Sequence, residues 1–124
     1  MEQQKNRIFG ITPNIEIIDL IKYMNSERLD YIKLIILFGS RVAGENHSRS
    51  DYDFAVIPGD IDEPWGVMAK VWNDIEDVTG LSECDLDIVD LRTADKVILD
   101  SIKSNYLILK GEESEFQRLF NKDK

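Results

Sequence analysis

The chain has 124 residues, of which 43% are hydrophobic and 31% charged. This length suits one compact domain, and we expect no second folded one. The 24 acidic residues outnumber the 15 basic ones and give a formal net charge of -9. Clustered cations for binding a nucleic-acid backbone are therefore not expected, and a phosphate-bearing ligand would have to arrive with a metal cation. The single cysteine, Cys84, excludes a disulfide framework and a Cys-rich zinc site.

The first residues, 1-11, form a polar leader, and we treat 12-124 as a single domain. The leader lacks the continuous apolar stretch of a secretory signal, and no apolar run approaches the length that crosses a bilayer. We expect a cytoplasmic protein that has neither a membrane nor a nucleic acid as its partner.

Hydrophobic periodicity predicts eight elements in the order α-β-β-α-β-α-β-α. The first helix is expected to begin at Thr12-Pro13 and to bury a stripe of apolar residues (Ile17, Leu20, Ile21 and Met24). An apolar strand over 31-39 should lie in the centre of the sheet. The other elements are expected as a strand over 51-57, a helix from Pro64 to a cap at Gly80, a strand over 84-91, a helix over 93-104, a strand over 106-109 and a helix over 112-120. This order indicates an α/β (α+β) fold, in which helices pack on a mixed sheet.

Gly39 and Ser40 follow the central strand directly. A glycine at the end of a strand lets the backbone approach a ligand closely, and the amides of a following turn or short helix can bind phosphate oxygens. Taken alone, the pair is more often a strand-ending turn with a serine cap. The acidic residues further along the chain favour the phosphate site.

Ten residues separate Ser40 from Asp51, and Asp51 and Asp53 stand at the start of the next apolar run. On a strand, residues two apart leave the same face, so both carboxylates can close on one small space. Two ionised carboxylates at short range repel unless a cation neutralises them, and hard oxygen ligands suit magnesium or manganese. An EF-hand is excluded, because the required glycine and twelfth-position glutamate are missing. The two aspartates therefore predict a metal-nucleotide site.

A two-metal site for phosphoryl transfer calls for a further carboxylate. The segment LDIVD supplies it: Asp85 and Asp87 share one face of the predicted strand, and Asp90 lies on the other. From the residues alone, either Asp85 or Asp87 is the candidate.

Together these residues resemble the minimal nucleotidyltransferases of the DNA polymerase β-like superfamily. The signature of that family is Gly-Ser, ten residues, Asp-x-Asp, with a third aspartate on a later strand. Arg41, Gly44 and Ser50 stand at positions that are usual in the family, and LDIVDL resembles its third-aspartate strand, which favours Asp87. The resemblance covers about residues 15 to 110.

The resemblance implies a polymerase β-like nucleotidyltransferase fold and an enzyme that uses ATP and two magnesium ions. Stand-alone members of this size are similar to antitoxins encoded beside a HEPN ribonuclease toxin, some of which transfer AMP from ATP to a tyrosine of that toxin. By this analogy Asp51, Asp53 and Asp87 hold the metal and carry the catalysis. The nucleotide-binding residues would be Gly39, Ser40, Arg41, Arg49 and Ser50.

Two other functions stay open. The protein could neutralise its partner by binding alone, which Ala43 favours, because relatives often carry a second basic residue at that position. Nucleotide transfer to a small molecule is the weaker alternative, since enzymes of that kind usually have an additional helical domain. His47 and Cys84 are expected to be a surface residue and a half-buried strand residue, and neither is placed in the site.

Overall fold

A computed structural model of the protein describes residues 13-43, 51-59, 61 and 66-121. The five α-helices in these ranges are α1 (Ile17–Met24), α2 (Ser40–Ala43), α3 (Val67–Thr79), α4 (Lys96–Ser104) and α5 (Glu113–Asn121). The four strands are β1 (Ile32–Phe38), β2 (Tyr52–Pro58), β3 (Leu86–Asp90) and β4 (Tyr106–Lys110). A short 3-10 turn (Glu27–Leu29) joins α1 to β1. The predicted order of elements is confirmed, and α2 and the 3-10 turn add to it.

The strands form one mixed sheet in the order β3-β2-β1-β4. β1 pairs antiparallel with β2 and with β4, and β2 pairs parallel with β3. Helix α3 is the crossover that a parallel pair requires. The apolar run of β1 lies in the interior of the sheet, because its side chains are covered on both faces. The prediction of a central strand within a mixed sheet is therefore confirmed.

Successive residues of β1 supply two separate cores, one on each face of the sheet. Ile35 and Leu37 pack with α1 and α3, whereas Leu34 and Ile36 pack with α4 and α5. Leu20, Met24 and Ile75 are fully buried in the first core, and Ile102 and Phe116 in the second. None of the described helices is long and apolar enough to cross a bilayer.

Helix α1 begins four residues later than predicted. Pro13 lies in irregular chain, and Glu16, with an extended backbone, is the residue before the first helical turn. The cause is tertiary: the Ile15 N–H donates to the hydroxyl of Tyr52 at 2.8 Å, which holds this segment on the sheet. The expected apolar stripe is also only half buried, because Ile17 and Ile21 stay 41% and 38% exposed. Thr12, the predicted cap, lies outside the described residues.

Strand β3 is shorter than predicted and begins at Leu86. Cys84 is an exposed residue of the preceding turn, not a half-buried strand residue. Asp85 belongs to the same turn, and its side chain is buried. The expectation that Asp85 and Asp87 share one face of a strand is therefore wrong.

A buried carboxylate joins α3 to the segment before β1. Asp74 accepts hydrogen bonds from Arg28 Nε at 2.9 Å and from the Tyr31 hydroxyl at 2.8 Å, and Lys70 Nζ lies 3.1 Å away. Burial by itself raises the pKa of Asp74, but the hydrogen bonds of Tyr31, Lys70 and Arg28 together outweigh burial and lower it. The carboxylate therefore stays ionised in the folded protein and stabilises the packing of α3.

Candidate active site

Two of the predicted acidic residues are neighbours on one face of the sheet. Asp53 of β2 is the register partner of Asp87 of the parallel strand β3 and, on its other side, of Phe38 at the end of β1. Residues that are opposite each other on neighbouring strands project to the same face. The structure therefore brings the side chains of Asp53 and Asp87 together where β1 ends and β2 and β3 begin.

The turn after β1 is held close to this pair. Gly39 has φ +88°, a left-handed conformation that glycine adopts without strain. A β-carbon on Gly39 would stand 2.5 Å from Asp53 Oδ2, which is closer than atoms can approach. Ser40 follows as the first residue of α2. Only glycine therefore lets the Gly39-Ser40 turn approach the carboxylate of Asp53.

The negative charges of the acidic residues in the site repel one another. The pKa of Asp53 is raised, first by burial and then by the negative charges of Asp87 and Asp51. Asp51 lies just before β2 and is exposed, as is Asp87. A cation between these side chains would remove the repulsion and lower the pKa of Asp53.

Three carboxylates are hard oxygen donors of the kind that magnesium takes. Within residues 13-43, 51-59, 61 and 66-121, no three acidic, histidine or cysteine side chains lie close enough to form a ready-made metal site. By donor chemistry and charge, Asp51, Asp53 and Asp87 fit a divalent cation. Their side chains would have to turn toward one another to hold it.

Asp85, the alternative third acid, is occupied elsewhere. Its carboxylate accepts from the Ser82 backbone N–H at 2.9 Å and lies 3.2 Å from the Ser82 hydroxyl, and only 3% of the residue is exposed. Its carbonyl accepts from the N–H of Tyr52 at 2.8 Å. These contacts fix the turn before β3 and bury the carboxylate of Asp85 within it.

Arg41 is not brought to the acidic pair. Its guanidinium lies over the ring of Tyr52, 4.2 Å from the centroid, and Nη1 donates to the Tyr52 hydroxyl at 3.2 Å and to Asn14 Oδ1 at 2.9 Å. Tyr52 precedes Asp53 on β2, so the two side chains leave opposite faces of the sheet. The predicted residues Arg49 and Ser50, as well as Gly44 and His47, lie outside the described residues.

Tyr52 is the residue that sequence reasoning missed. It is the middle residue of Asp51-Tyr52-Asp53, only 1% exposed, and its hydroxyl accepts from both Ile15 and Arg41. The signal was present in the strand alternation, because an aromatic residue between two acids at the start of a strand must point into the opposite core.

A family model described as polymerase beta, nucleotidyltransferase, matches residues 18–114. The chain belongs to this family. The match includes β1, the Gly39-Ser40 turn, all three acids and β4, so the predicted family and its fold are confirmed and the protein is a nucleotidyltransferase.

Solved structures agree with the family assignment. A chain of a toxin-antitoxin complex determined with AMP-PNP is similar at 25% identity and TM-score 0.63, with 87% of this chain and 83% of that chain covered. A complex of a tri-AMPylated Shewanella oneidensis HEPN toxin with its MNT antitoxin gives 23% identity, TM-score 0.56 and coverage of 86% and 78%. A chain of an MntA-HepT toxin-antitoxin complex is similar at 23% identity and TM-score 0.55, with 86% of this chain and 79% of that chain covered. A search of curated proteins found no match.

Proposed function

We propose that this protein transfers AMP from ATP to a tyrosine hydroxyl of a HEPN-domain toxin and in this way acts as its antitoxin. The observation that carries the chemistry is the pairing of Asp53 with Asp87 in one row of the sheet, with Gly39 against Asp53. The partner is suggested by the similar toxin-antitoxin complexes, one of which contains an AMPylated HEPN toxin.

Asp51, Asp53 and Asp87 are the residues that would hold magnesium, two ions by the family resemblance. When bound, the metal supplies positive charge that neutralises the carboxylates and the phosphate oxygens at which charge develops. The raised pKa of Asp53, caused first by burial and then by Asp87 and Asp51, supports a cation at this position.

The reaction is a substitution at phosphorus. The tyrosine oxygen forms a bond to the α-phosphorus of ATP, the bond from that phosphorus to the oxygen bridging to the β-phosphate breaks, and pyrophosphate leaves. The proton of the tyrosine hydroxyl passes to Asp87 or to water. Asp87 is exposed, so an acceptor hydroxyl of another protein can reach it.

The triphosphate would lie against the turn after β1. Backbone amides of Gly39 and Ser40 are the donors that this turn offers to phosphate oxygens, and the absence of a side chain at Gly39 allows the close approach. Arg49 and Ser50, outside the described residues, are proposed as further phosphate ligands. Positioning and charge would then supply most of the rate, as phosphoryl-type transfer asks little covalent chemistry of the protein.

The test is the intact mass of the product of the neighbouring gene, which the proposal expects to be a HEPN protein, after incubation with this chain, ATP and MgCl2. We expect increments of one AMP, and their loss when its acceptor tyrosine is replaced by phenylalanine or when this chain carries Asp53→Asn. Asp100→Asn, an exposed acid on α4 that pairs with Lys96, is the matched control and should leave the increments unchanged. An unmodified HEPN protein in the wild-type reaction overturns the proposal.

Neutralisation by binding alone is the second candidate. It is favoured by the lack of a ready-made metal cluster among the described residues and by the position of Arg41 on the face opposite the acids. Under this function the complex would form without ATP or magnesium, and Asp53→Asn would protect a cell from the toxin as well as the wild type does. Protection that needs Asp53 decides for the transferase.

A further inference from the structure

The segment that follows β1, from Gly39 to Arg41, contacts both faces of the sheet at the first residues of β2. On one face Gly39 lies against the carboxylate of Asp53, and on the other Arg41 lies over the ring of Tyr52. Asp53 and Tyr52 are consecutive, so the two contacts enclose the strand between them. Any shift of the turn along β2 has to change both contacts together.

Tyr52 is a fixed support for this arrangement. The residue is 1% exposed and its ring stacks on Phe54, with the centroids 6.0 Å apart and the planes 8° from parallel. Its hydroxyl accepts from the Ile15 N–H at 2.8 Å as well as from Arg41. A buried ring whose hydroxyl accepts two hydrogen bonds has little freedom to move. The ring of Tyr52 therefore gives Arg41 a rigid surface to pack on.

Arg41 in turn holds helix α2. It is the second residue of this four-residue helix, which is too short to be stable by itself. The guanidinium carbon of Arg41 lies 4.2 Å from the centroid of the Tyr52 ring, and Nη1 donates to the Tyr52 hydroxyl and to Asn14 Oδ1. A lysine ammonium is a compact charge on a flexible stem, so it would not hold its charge over the ring and its donors in the same positions as the pre-organised guanidinium does.

We infer that Arg41 and Tyr52 are positioning residues for nucleotidyl transfer: their contact on the core face holds the Gly39-Ser40 turn in place over Asp53 on the other face. The inference rests on the proposed function for its kinetic consequence. It gives Arg41 a role that acts through Tyr52 and α2, in place of a direct contact with the triphosphate. It also connects the site to the start of α1, because Asn14 and Ile15 bind the same two side chains.

The experiment is a double-mutant cycle with Arg41→Lys and Tyr52→Phe. Tyr52→Phe keeps the buried ring and removes only the hydroxyl, and Arg41→Lys keeps the charge and removes the plane. Each should lower kcat for AMP transfer about tenfold, because a misplaced turn no longer aligns the phosphates, with the KM for ATP changed less than about twofold. The double variant should be no slower than the slower single variant, because both disrupt one contact.

A direct triphosphate contact by Arg41 gives a different result. Arg41→Gln would then raise the KM for ATP, Tyr52→Phe would leave both constants near the wild-type values, and the effects of the two changes would multiply. That outcome overturns the inference. Tyr23→Phe, which removes the hydroxyl of a tyrosine 37% exposed on α1, is the control and should match the wild type.

A readout without nucleotide separates this inference from the proposed function. In Tyr52→Phe the amide of Ile15 loses its acceptor, so hydrogen exchange should speed up about tenfold or more in the peptide that contains Ile15. The peptide that contains α2 should respond in the same way to both Tyr52→Phe and Arg41→Lys. If the wild type transfers no AMP but both peptides respond, the proposed function fails and the contact stands. Unchanged exchange in both peptides overturns the contact itself.

Discussion

Gly39 and Asp53 are in such close contact that a β-carbon on the first would stand 2.5 Å from Oδ2 of the second. Gly39→Ala therefore has two costs: the left-handed φ of +88° and a clash with the carboxylate. We expect a loss of about 2-3 kcal/mol in the free energy of unfolding and a loss of AMP transfer of about 100-fold. Urea unfolding and the transfer assay measure the two effects.

Gly80 provides the matched control for this substitution. It ends α3 with φ +78°, but a β-carbon there would meet no atom within 4 Å. Gly80→Ala should cost only about 1 kcal/mol of stability and leave transfer unchanged. Equal losses of transfer in the two variants would contradict the importance of the Gly39-Asp53 contact.

Asp53→Asn should stabilise the fold while it abolishes transfer. The pKa of Asp53 is raised by burial and by Asp87 and Asp51, so at neutral pH its ionised form opposes folding. The folded state therefore favours the protonated form of Asp53 more than the unfolded chain does. The stability that this preference contributes is fully present below the pKa of Asp53 in the unfolded chain, near 4, and is lost as the pH rises through its pKa in the folded protein. The variant should therefore gain about 0.5-1 kcal/mol at pH 7 and little at pH 3. Thermal unfolding at both pH values checks this, and a destabilised variant at pH 7 would contradict it.

Magnesium should stabilise the wild-type protein, because a cation removes the repulsion among Asp51, Asp53 and Asp87. At a free concentration of 100 times its dissociation constant, a ligand that binds only the folded state adds about 2.7 kcal/mol. The rise in Tm should be absent in Asp53→Asn and Asp87→Asn. NaCl at equal ionic strength is the control, because screening of the net charge of -9 also raises Tm. An equal rise in Tm in all variants would exclude this metal site.

Replacing Asp85 should reduce stability, whereas replacing Asp87 should abolish transfer. Asp85→Asn removes the ionised acceptor of the Ser82 N–H and hydroxyl and should cost about 1-2 kcal/mol of stability. Asp87 accepts the backbone N–H of Ile88 at 3.1 Å, and the amide oxygen of asparagine can accept it too, so Asp87→Asn should leave stability within about 0.5 kcal/mol but abolish transfer. Unfolding and transfer measured on both variants decide the matter. Loss of transfer in a stable Asp85→Asn variant would reverse the assignment.

Asp74 should make the free energy of unfolding depend on pH in the acidic range. Its pKa is lowered, since the hydrogen bonds from Tyr31, Lys70 and Arg28 outweigh the effect of burial. The stability it contributes is present above pH about 4 and is lost as the pH falls through its folded value. Asp74→Asn should therefore cost about 1-2 kcal/mol at pH 7 and less at pH 3, whereas the exposed Asp100→Asn should cost under about 0.5 kcal/mol at both. Urea unfolding measures the difference, and a cost for Asp74→Asn that is independent of pH would contradict it.

Local patterns in the sequence correctly predicted the order of elements and the central strand, whereas the metal chemistry of the acidic residues stays a prediction. They failed where a distant contact decides the local structure. The start of α1 is set by the hydroxyl of Tyr52, and the choice between Asp85 and Asp87 by a turn that buries one of them. The direction of Arg41 could not be predicted for the same reason, because it depends on which face Tyr52 takes once β1 and β2 have paired.

The parallel pairing of β2 with β3 has a consequence for synthesis of the protein. When β1 and β2 have left the ribosome, they can close as an antiparallel pair and already present Gly39, Asp51 and Asp53. Asp87 joins them only after the whole crossover helix α3 has emerged and docked. The site proposed for nucleotidyl transfer, which needs Asp87, is therefore complete only once β3 has been translated and has paired with β2.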